Sequence, residues 1–313
     1  MSKALKKIDF RKLGPVIALI VLVLFVTALN PSFIRLSNLF NLLRQVSINA
    51  LLAFGMTFVI ITSGIDLSVG SILALSSALT AGMIASGIPS SLAIIFGLLI
   101  GGVMGFANGF FITKGNVAPF IATLATMTIY RGLTLVYTGG NPVSNFDPGL
   151  SLQILGRGSY FGVPIPVIVM VLVFAILYAF LHKMTFGRKV FAIGGNEEAA
   201  HIAGIKTDKI KLWVYTISGM MSSLAGLILV SRLNSAQPTA GTSYELDAIA
   251  AVVIGGTSLS GGKGRIFGTL IGALIIGTLN NGLNILGVSS FYQQVVRGIV
   301  ILIAVFVDRG QEN

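Results

Sequence analysis

Long apolar stretches occupy most of this 313-residue chain and constrain its fold more than any other feature. Hydrophobic residues make up 54% of the chain and charged residues only 10%, with a mean hydropathy of +0.92. That composition is too apolar for a water-soluble domain of this size. A transmembrane helix needs roughly 20 predominantly apolar residues. The sequence therefore predicts an all-α, polytopic membrane protein with about ten transmembrane helices in one domain over residues 1–313.

The boundaries of the spans follow from the apolar runs between polar connections. The third and eighth spans are rich in Ser and Gly, so broken or re-entrant helices are an alternative for both, which is tolerated where the backbone is buried in protein. The predicted spans are 14–30, 43–62, 67–86, 91–112, 117–138, 164–181, 212–231, 246–259, 266–286 and 292–307.

The basic residues predict the orientation of the chain. Ten spans place both termini on one side, and cytoplasmic loops of membrane proteins accumulate Lys and Arg. Of 21 basic residues, 15 fall on the side of the termini and the other six are all arginines, so we expect both termini to be cytoplasmic. The expected cytoplasmic parts include a tail, residues 1–13, and a main loop, residues 182–211. Because the cations are spread over separate loops, no nucleic-acid partner is expected.

Enzymatic chemistry is not indicated by any motif. The chain has no Cys, and its two His residues, His182 and His201, lie in the loop expected to be cytoplasmic, so no metal site is expected. The run GTSLSGGKG at 256–264 lacks the spacing and the hydroxyl residue of a phosphate loop. We therefore predict no catalytic residue, no bound cofactor and no nucleotide site in this chain.

Two glycine-rich motifs indicate an internal repeat. GLLIGGVMGFANG at 97–109 lies in the fourth predicted span, and GTLIGALIIGTLNNG at 268–282 lies in the ninth. Five crossings separate the motifs, and an odd number of crossings inverts the direction of the chain. Spans 2–5 and 7–10 are therefore predicted to form an inverted repeat, a common construction of transporters. The alternative for each glycine alone is close helix packing.

Acidic residues stand at the start of the third and eighth spans. Ser63 to Asp66 and Thr242 to Glu245 both match [ST]-x-x-[DE], the spacing of a reciprocal helix cap. A carboxylate near the membrane is costly and is also a functional-site hypothesis, which we keep as the alternative for Asp66. Asp66, Glu245 and the nearby Asp247 are thus structural or gating candidates.

A short polar helix is predicted inside the basic loop. Asn196 is a suitable N-cap, and Gly204 can end the helix at its C-prime position. Two glutamates, Glu197 and Glu198, complement the positive end of the helix dipole. One apolar face is formed by Ala199, Ile202 and Ala203. A helix this short is marginal alone, so we expect its small side chains to insert into a cleft on a partner. The residues of this candidate coupling helix are Asn196, Glu197, Glu198, Ala199, Ala200, Ile202, Ala203 and Gly204.

Several motifs resemble one transporter family. Glu198-Ala199-Ala200, with Gly204 following, matches the E-A-A-x3-G core by which permease subunits of ABC importers contact their ATPase, although VYTI at 214–217 replaces the expected Ile-x-Leu-Pro. The stretches at 63–71, 120–132, 235–273 and 279–290 (SGIDLSVGS, FIATLATMTIYRG, SAQPTAG through GTLIGA, and LNNGLNILGVSS) are similar to the monosaccharide permease family.

This resemblance implies several partners and a location. They are a second copy of the chain, two ATPase subunits that hold ATP and Mg²⁺, a periplasmic sugar-binding protein and the lipid of the bacterial inner membrane. From the residues themselves, an ion-coupled secondary transporter remains an alternative, as does an intramembrane enzyme, although the spans carry few ionisable groups.

Polar residues on two spans are candidates for a sugar path, since hydroxyl and amide groups can hydrogen-bond a passing sugar. The alternative is hydrogen bonding between neighbouring helices. The candidates are Thr123, Thr126 and Tyr130 on span five, and Asn280, Asn281 and Asn284 on span nine.

Overall fold

The computed structural model describes residues 10–144 and 146–309, and within them the chain is almost entirely helical. Most of the predicted tail, residues 1–9, and both chain ends lie outside the described residues. The only strands in the described part form a two-residue hairpin, β1 (Ser159–Tyr160) with β2 (Val163–Pro164). The all-α prediction is therefore confirmed.

The first half of the chain contains the helices that correspond to the first five predicted spans. A short 3-10 turn, Pro31–Ile34, separates the first two helices, and a nonhelical segment, residues 62–68, precedes the third. The helices are α1 (Phe10–Leu29), α2 (Leu36–Ile61), α3 (Val69–Ala85), α4 (Ser90–Thr113) and α5 (Pro119–Thr138).

The second half begins after a connection that contains the hairpin, and it includes the short helices of the basic loop. Its helices are α6 (Gly149–Arg157), α7 (Ile165–His182), α8 (Thr185–Gly195), α9 (Glu197–Ile202), α10 (Thr207–Leu233), α11 (Tyr244–Ile254), α12 (Ile266–Ile285) and α13 (Ser290–Arg309).

Six helices of the described residues are long and apolar enough to cross a membrane: α2, α4, α5, α7, α10 and α12. They coincide with six of the predicted spans. Residues 13–29 of α1 and the 17-residue α3 are apolar but shorter. The coarse prediction, a helical membrane protein, is confirmed.

The eighth predicted span differs from the observed helix. The 11 residues of α11 end at Ile254, so at about 1.5 Å per residue the helix covers roughly half of a 30 Å hydrocarbon core. Gly255 and Gly256 follow, and Gly256 has a left-handed φ of +84° that ends the helix. A continuous helix over 246–259 is therefore wrong, and the broken alternative describes this segment.

The bundle is built around α2, whose residues 46–61 are buried throughout. Helices α7, α10, α11 and α12 pack around it, and α10 also packs along α4. Glycine makes the contact between α4 and α10 close: a Cβ at Gly219 would overlap the Gly101 carbonyl and lie 2.8 Å from the Gly105 Cα. Small residues spaced by four let two helix backbones approach in this way.

Candidate functional site

The short helix of the basic loop has the predicted ends. Asn196 is its N-cap, and the Asn196 side-chain oxygen accepts a hydrogen bond of 2.8 Å from the Ala199 N–H. At the other end Gly204 has a φ of +83°, and the Ile205 N–H donates to the Ala200 carbonyl at 3.0 Å. This is a Schellman motif, which needs a left-handed residue at C-prime and therefore favours Gly.

The apolar face of α9 is divided between the protein and its surroundings. Ile202 is 79% exposed, and Ala199 and Ala203 are also exposed. Ala200 is only 5% exposed and belongs to the core, so the prediction that it inserts into a partner is wrong. At about 100° per residue, Ala200 lies about 100° from Ala199 and about 160° from Ile202 around the helix axis, which turns it towards the bundle. Of the two glutamates, Glu197 pairs with Lys211 and Glu198 is exposed.

The end of α8, just before α9, rests on two other parts of the chain. The Gly262 N–H donates to the Ile61 carbonyl at the end of α2 at 2.9 Å. A Cβ at Gly194 would overlap that carbonyl, and the Ser63 hydroxyl donates to the Ser260 carbonyl at 2.9 Å. The glycine-rich run at 256–264 is therefore a packing element between α2 and α8, a role that its sequence did not reveal.

Asp66 lies in a fully buried polar cluster ahead of α3. Its carboxylate accepts hydrogen bonds from the Ser68 N–H at 3.0 Å, the Ser68 hydroxyl at 2.6 Å and the Ser218 hydroxyl at 2.8 Å. Asn108 donates to the Ser68 hydroxyl at 2.7 Å. Across residues 10–144 and 146–309, no Lys or Arg forms an ion pair with Asp66. Asp66 thus ties the nonhelical segment to α10, and through Ser68 to α4.

Neither predicted capping box forms. The helices begin at Val69 and Tyr244, so the cap positions are Ser68 and Ser243, and neither side chain makes a capping hydrogen bond. The Thr242 hydroxyl donates instead to the Thr239 carbonyl at 2.7 Å. The hydroxyl residue of each motif therefore precedes the cap position and bonds elsewhere.

The second acidic candidate region contains an ion pair that the sequence did not predict. Asp247 is 2% exposed, and its Oδ1 lies 3.0 Å from Nε of Arg297 on α13. Asn280 also hydrogen-bonds the Asp247 side chain. On α5, Arg131 donates to the carbonyls of Pro238 and Ala240 at 2.7 and 2.8 Å. Arg131 and Arg297 therefore both contact the region in which α11 begins.

The candidate path residues of α5 point into the bundle and bond to the backbone. The Thr123 hydroxyl donates to the Ile65 carbonyl at 3.1 Å, Thr126 donates to the Thr123 carbonyl at 3.2 Å, and Tyr130 donates to the Met104 carbonyl at 3.0 Å. Helix α5 packs on α3 and α4.

The candidates of α12 have different neighbours. Asn281 exchanges amide hydrogen bonds of 2.9 and 3.1 Å with Asn38, and Asn284 accepts one of 2.9 Å from Gln293. Helix α12 packs mainly on α1, α2 and α11, so the structure does not bring the two candidate sets together. Their role in a sugar path stays a prediction.

Comparison with known proteins identifies the family. Residues 38–305 match the family described as the permease component of the branched-chain amino acid transport system. The ribose import permease of Bacillus subtilis strain 168 is 66% identical over 97% of this chain and 96% of the relative. The D-allose transport system permease of Escherichia coli K12 is 43% identical over 95% and 91%. A probable ABC transporter permease of the same strain is 39% identical over 94% and 87%.

No solved structure matches the chain. The relatives are transport permeases rather than enzymes, and the matches span nearly the whole chain. Together with the six membrane-length helices, these matches show that the chain belongs to the branched-chain amino acid transport system permease family of membrane transport proteins.

Proposed function

We propose that this chain is the transmembrane subunit of an ATP-driven importer that moves a monosaccharide, ribose, across the bacterial inner membrane. The observation that carries the proposal is the 66% identity to a ribose import permease over 97% of the chain. The similarity to a D-allose permease is lower, at 43%. Ribose is therefore the substrate to test first and D-allose the second.

The energy source in this proposal is a separate ATPase subunit that holds ATP and Mg²⁺, and a periplasmic binding protein delivers the sugar. The run at 256–264, which comes nearest to a phosphate loop, is engaged in backbone packing against Ile61 and Gly194. Through these contacts the run is engaged with α2 and α8 rather than open to a phosphate group.

The surface proposed to dock into the ATPase consists of the outward side of α9: Glu198, Ala199, Ile202 and Ala203. An exposed isoleucine between two alanines can fill a shallow apolar cleft. Movement of α9 can be transmitted in two ways, because α10 begins within a few residues of it and the end of α8 touches the end of α2. Both helices belong to the centre of the bundle.

The inverted repeat is proposed to relate α2–α5 to α10–α13, and helix packing supports it. In this repeat α2, α3, α4 and α5 correspond to α10, α11, α12 and α13. Several helix contacts then have a counterpart in the other half: α4 with α10 corresponds to α12 with α2, and α3 with α5 corresponds to α11 with α13. In the same way, the contact of α10 with α3 corresponds to that of α2 with α11. Single contacts follow the same pattern: Asn108 bonds Ser68, two residues after Asp66, and Asn280 bonds Asp247, two residues after Glu245.

A ten-span topology with cytoplasmic termini is proposed from the distribution of charge. Contacts that join basic segments at one end of the bundle support it. Lys114 after α4 pairs with Asp208 at 2.8 Å, and the loop that carries Lys263 packs on the end of α8. Both halves share the central α2–α10 packing, which supports a single domain.

The remaining partners are a second copy of the chain and lipid. Large apolar side chains cover the outer surfaces of α1, α4 and α5; examples are Leu24, Val103 and Val136, which are 63%, 67% and 81% exposed. Such surfaces are stable against lipid or another apolar surface. The path residues of α5 and α12 are proposed to contact sugar only after the bundle opens, since in this conformation they bond within the chain.

Reconstitution tests the proposed function. The chain is placed in liposomes with the ATPase subunit inside and the sugar-binding protein outside, and uptake of labelled ribose is measured with and without ATP. We expect uptake that needs all three proteins and ATP, and that is the same with or without a proton or sodium gradient. Gradient-driven uptake by this chain alone would instead establish the secondary transporter.

The docking surface needs its own variants. Ile202→Asp places a charge on the exposed face of α9 and should abolish co-purification of the ATPase while membrane abundance stays normal. Lys263→Asp, a charge change on the same end of the bundle but outside α9, is the matched control. Normal association and uptake in Ile202→Asp would contradict the docking role.

A further inference from the structure

A groove with three lysines lies beside α9, on the side of its C-terminal glycine. Its volume is about 420 Å³, within the range of about 300–1,000 Å³ typical of small-molecule sites. The groove is lined by Lys189 of α8 and by Lys206 and Lys209 at the start of α10, with Phe186, Ile210 and Trp213 as its apolar part. We call it the lysine groove.

Along one side of α10, the lysines of the groove come first and its apolar residues follow further into the helix. Lys206, Lys209, Ile210 and Trp213 follow the i, i+3, i+4, i+7 pattern, so they share one side of the helix. Trp213 is 53% exposed and lies one turn further into the membrane-length helix than Lys209. Tryptophan is enriched where a membrane protein meets the lipid headgroups. The groove therefore has its cations at the loop end and its exposed aromatic ring towards the membrane.

The positive charge of the groove is not neutralised by the protein. Within the part of the chain that the structure describes, no carboxylate pairs with Lys189, Lys206 or Lys209. The acidic residues nearby on α9 and α10 are engaged elsewhere or exposed: Asp208 pairs with Lys114, and Glu197 pairs with Lys211. Three unpaired cations around one concave surface match a phosphate group.

We propose that the lysine groove binds the headgroup phosphate of an anionic phospholipid whose acyl chains run along Trp213 and the exposed surface of α10. A zwitterionic lipid fits less well, because its headgroup brings a cation next to three others. Basic pockets between helices on the cytoplasmic side are known to bind anionic headgroups. The inference depends on the membrane location of the chain and not on the sugar that it moves.

The chain carries its own probe for this site, because Trp213 is the only tryptophan. The full-length protein is reconstituted in phosphatidylcholine vesicles that contain a small fraction of brominated phosphatidylglycerol or brominated phosphatidylcholine, and quenching of Trp213 fluorescence is measured. We expect stronger quenching by the brominated phosphatidylglycerol. Unlabelled phosphatidylglycerol should reverse it, and inorganic phosphate at the same concentration should not. Equal quenching by both lipids would overturn the proposal, and reversal by inorganic phosphate would replace the lipid with a soluble anion.

A triple variant tests the lysines themselves. With Lys189, Lys206 and Lys209 changed to Gln, we expect the apparent affinity for phosphatidylglycerol to fall on the order of a hundredfold, from roughly fivefold per lysine near the surface. The matched control changes the exposed Lys183, Arg188 and Lys263 to Gln, which removes the same charge outside the groove.

Circular dichroism and gel filtration check that both variants are folded, and a groove variant that fails either test is replaced by the three single substitutions. An unchanged affinity in the folded groove variants overturns the proposal. An equal loss in the control does so too, because it would indicate general attraction to the basic end of the bundle.

Discussion

The contact between α4 and α10 is so close that a single methyl group should disturb it. In Gly219→Ala the new Cβ would overlap the Gly101 carbonyl and lie 2.8 Å from both Cα and N of Gly105, where 3.4–4 Å is ordinary contact. All of these neighbours are backbone atoms, so no side chain can rotate away. The two helices must instead separate by on the order of 1 Å, at a cost of about 1–3 kcal/mol typical of overpacking.

The control for this prediction is Gly132→Ala on α5, where a Cβ has no atom within 4 Å. Replacing Gly by Ala within a helix contributes up to about 1 kcal/mol of stability in both variants. The difference between the two therefore isolates the overpacking term, and we expect Gly219→Ala to be less stable than Gly132→Ala by about 1–3 kcal/mol. Gly102→Ala should fall between them, because its Cβ meets side chains rather than backbone, and the nearest atom, at 3.2 Å, belongs to the flexible side chain of Met220.

The assay is reversible unfolding in mixed micelles by added anionic detergent, followed by circular dichroism and by the fluorescence of Trp213. The free energy of unfolding of each variant is compared with that of the parent chain. If Gly219→Ala and Gly132→Ala unfold at the same detergent fraction, the close glycine contact does not exist in the membrane and the reasoning is refuted.

Three further predictions concern other parts of the molecule. Arg297→Leu should lower the free energy of unfolding by about 3–5 kcal/mol, because it leaves the carboxylate of Asp247 buried without its ion-pair partner. Adding Asp247→Asn should recover most of this loss. A double variant as unstable as the single one would contradict the ion pair. Gly204→Val should speed amide hydrogen exchange across α9, since a left-handed residue with a branched side chain costs on the order of 1 kcal/mol or more, whereas Gly195→Val, which has open space and no positive φ, should not. Lys263 should react with an impermeant amine reagent in inside-out vesicles only, and labelling in right-side-out vesicles would disprove the proposed topology.

Much of the fold could be predicted because the relevant signals are local. Nine of the ten predicted spans fall on observed helices, with ends that differ by up to seven residues, whereas the eighth runs past the end of α11. Asn196 and Gly204 marked the ends of α9 correctly, since caps depend on adjacent backbone. The resemblance to the permease family was equally accessible, because it rests on short motifs. The capping boxes failed because the exact start of a helix decides which residue is the cap, and a four-residue pattern does not fix that start.

What only the tertiary structure decided is which distant groups meet. Asp66 bonds Ser218, 152 residues later, and the carbonyl of Ile61 bonds Gly262. In the same way, Ala200 turned out to face the core although its neighbours Ala199 and Ile202 face outward. The sequence by itself determined that this protein lies in a membrane, where most of its helices are and to which family it belongs, since these follow from composition and from local pattern. The partners of its polar groups were decided by how the helices pack, because a hydroxyl or carboxylate carries no information about which of many distant partners will be brought within 3 Å of it.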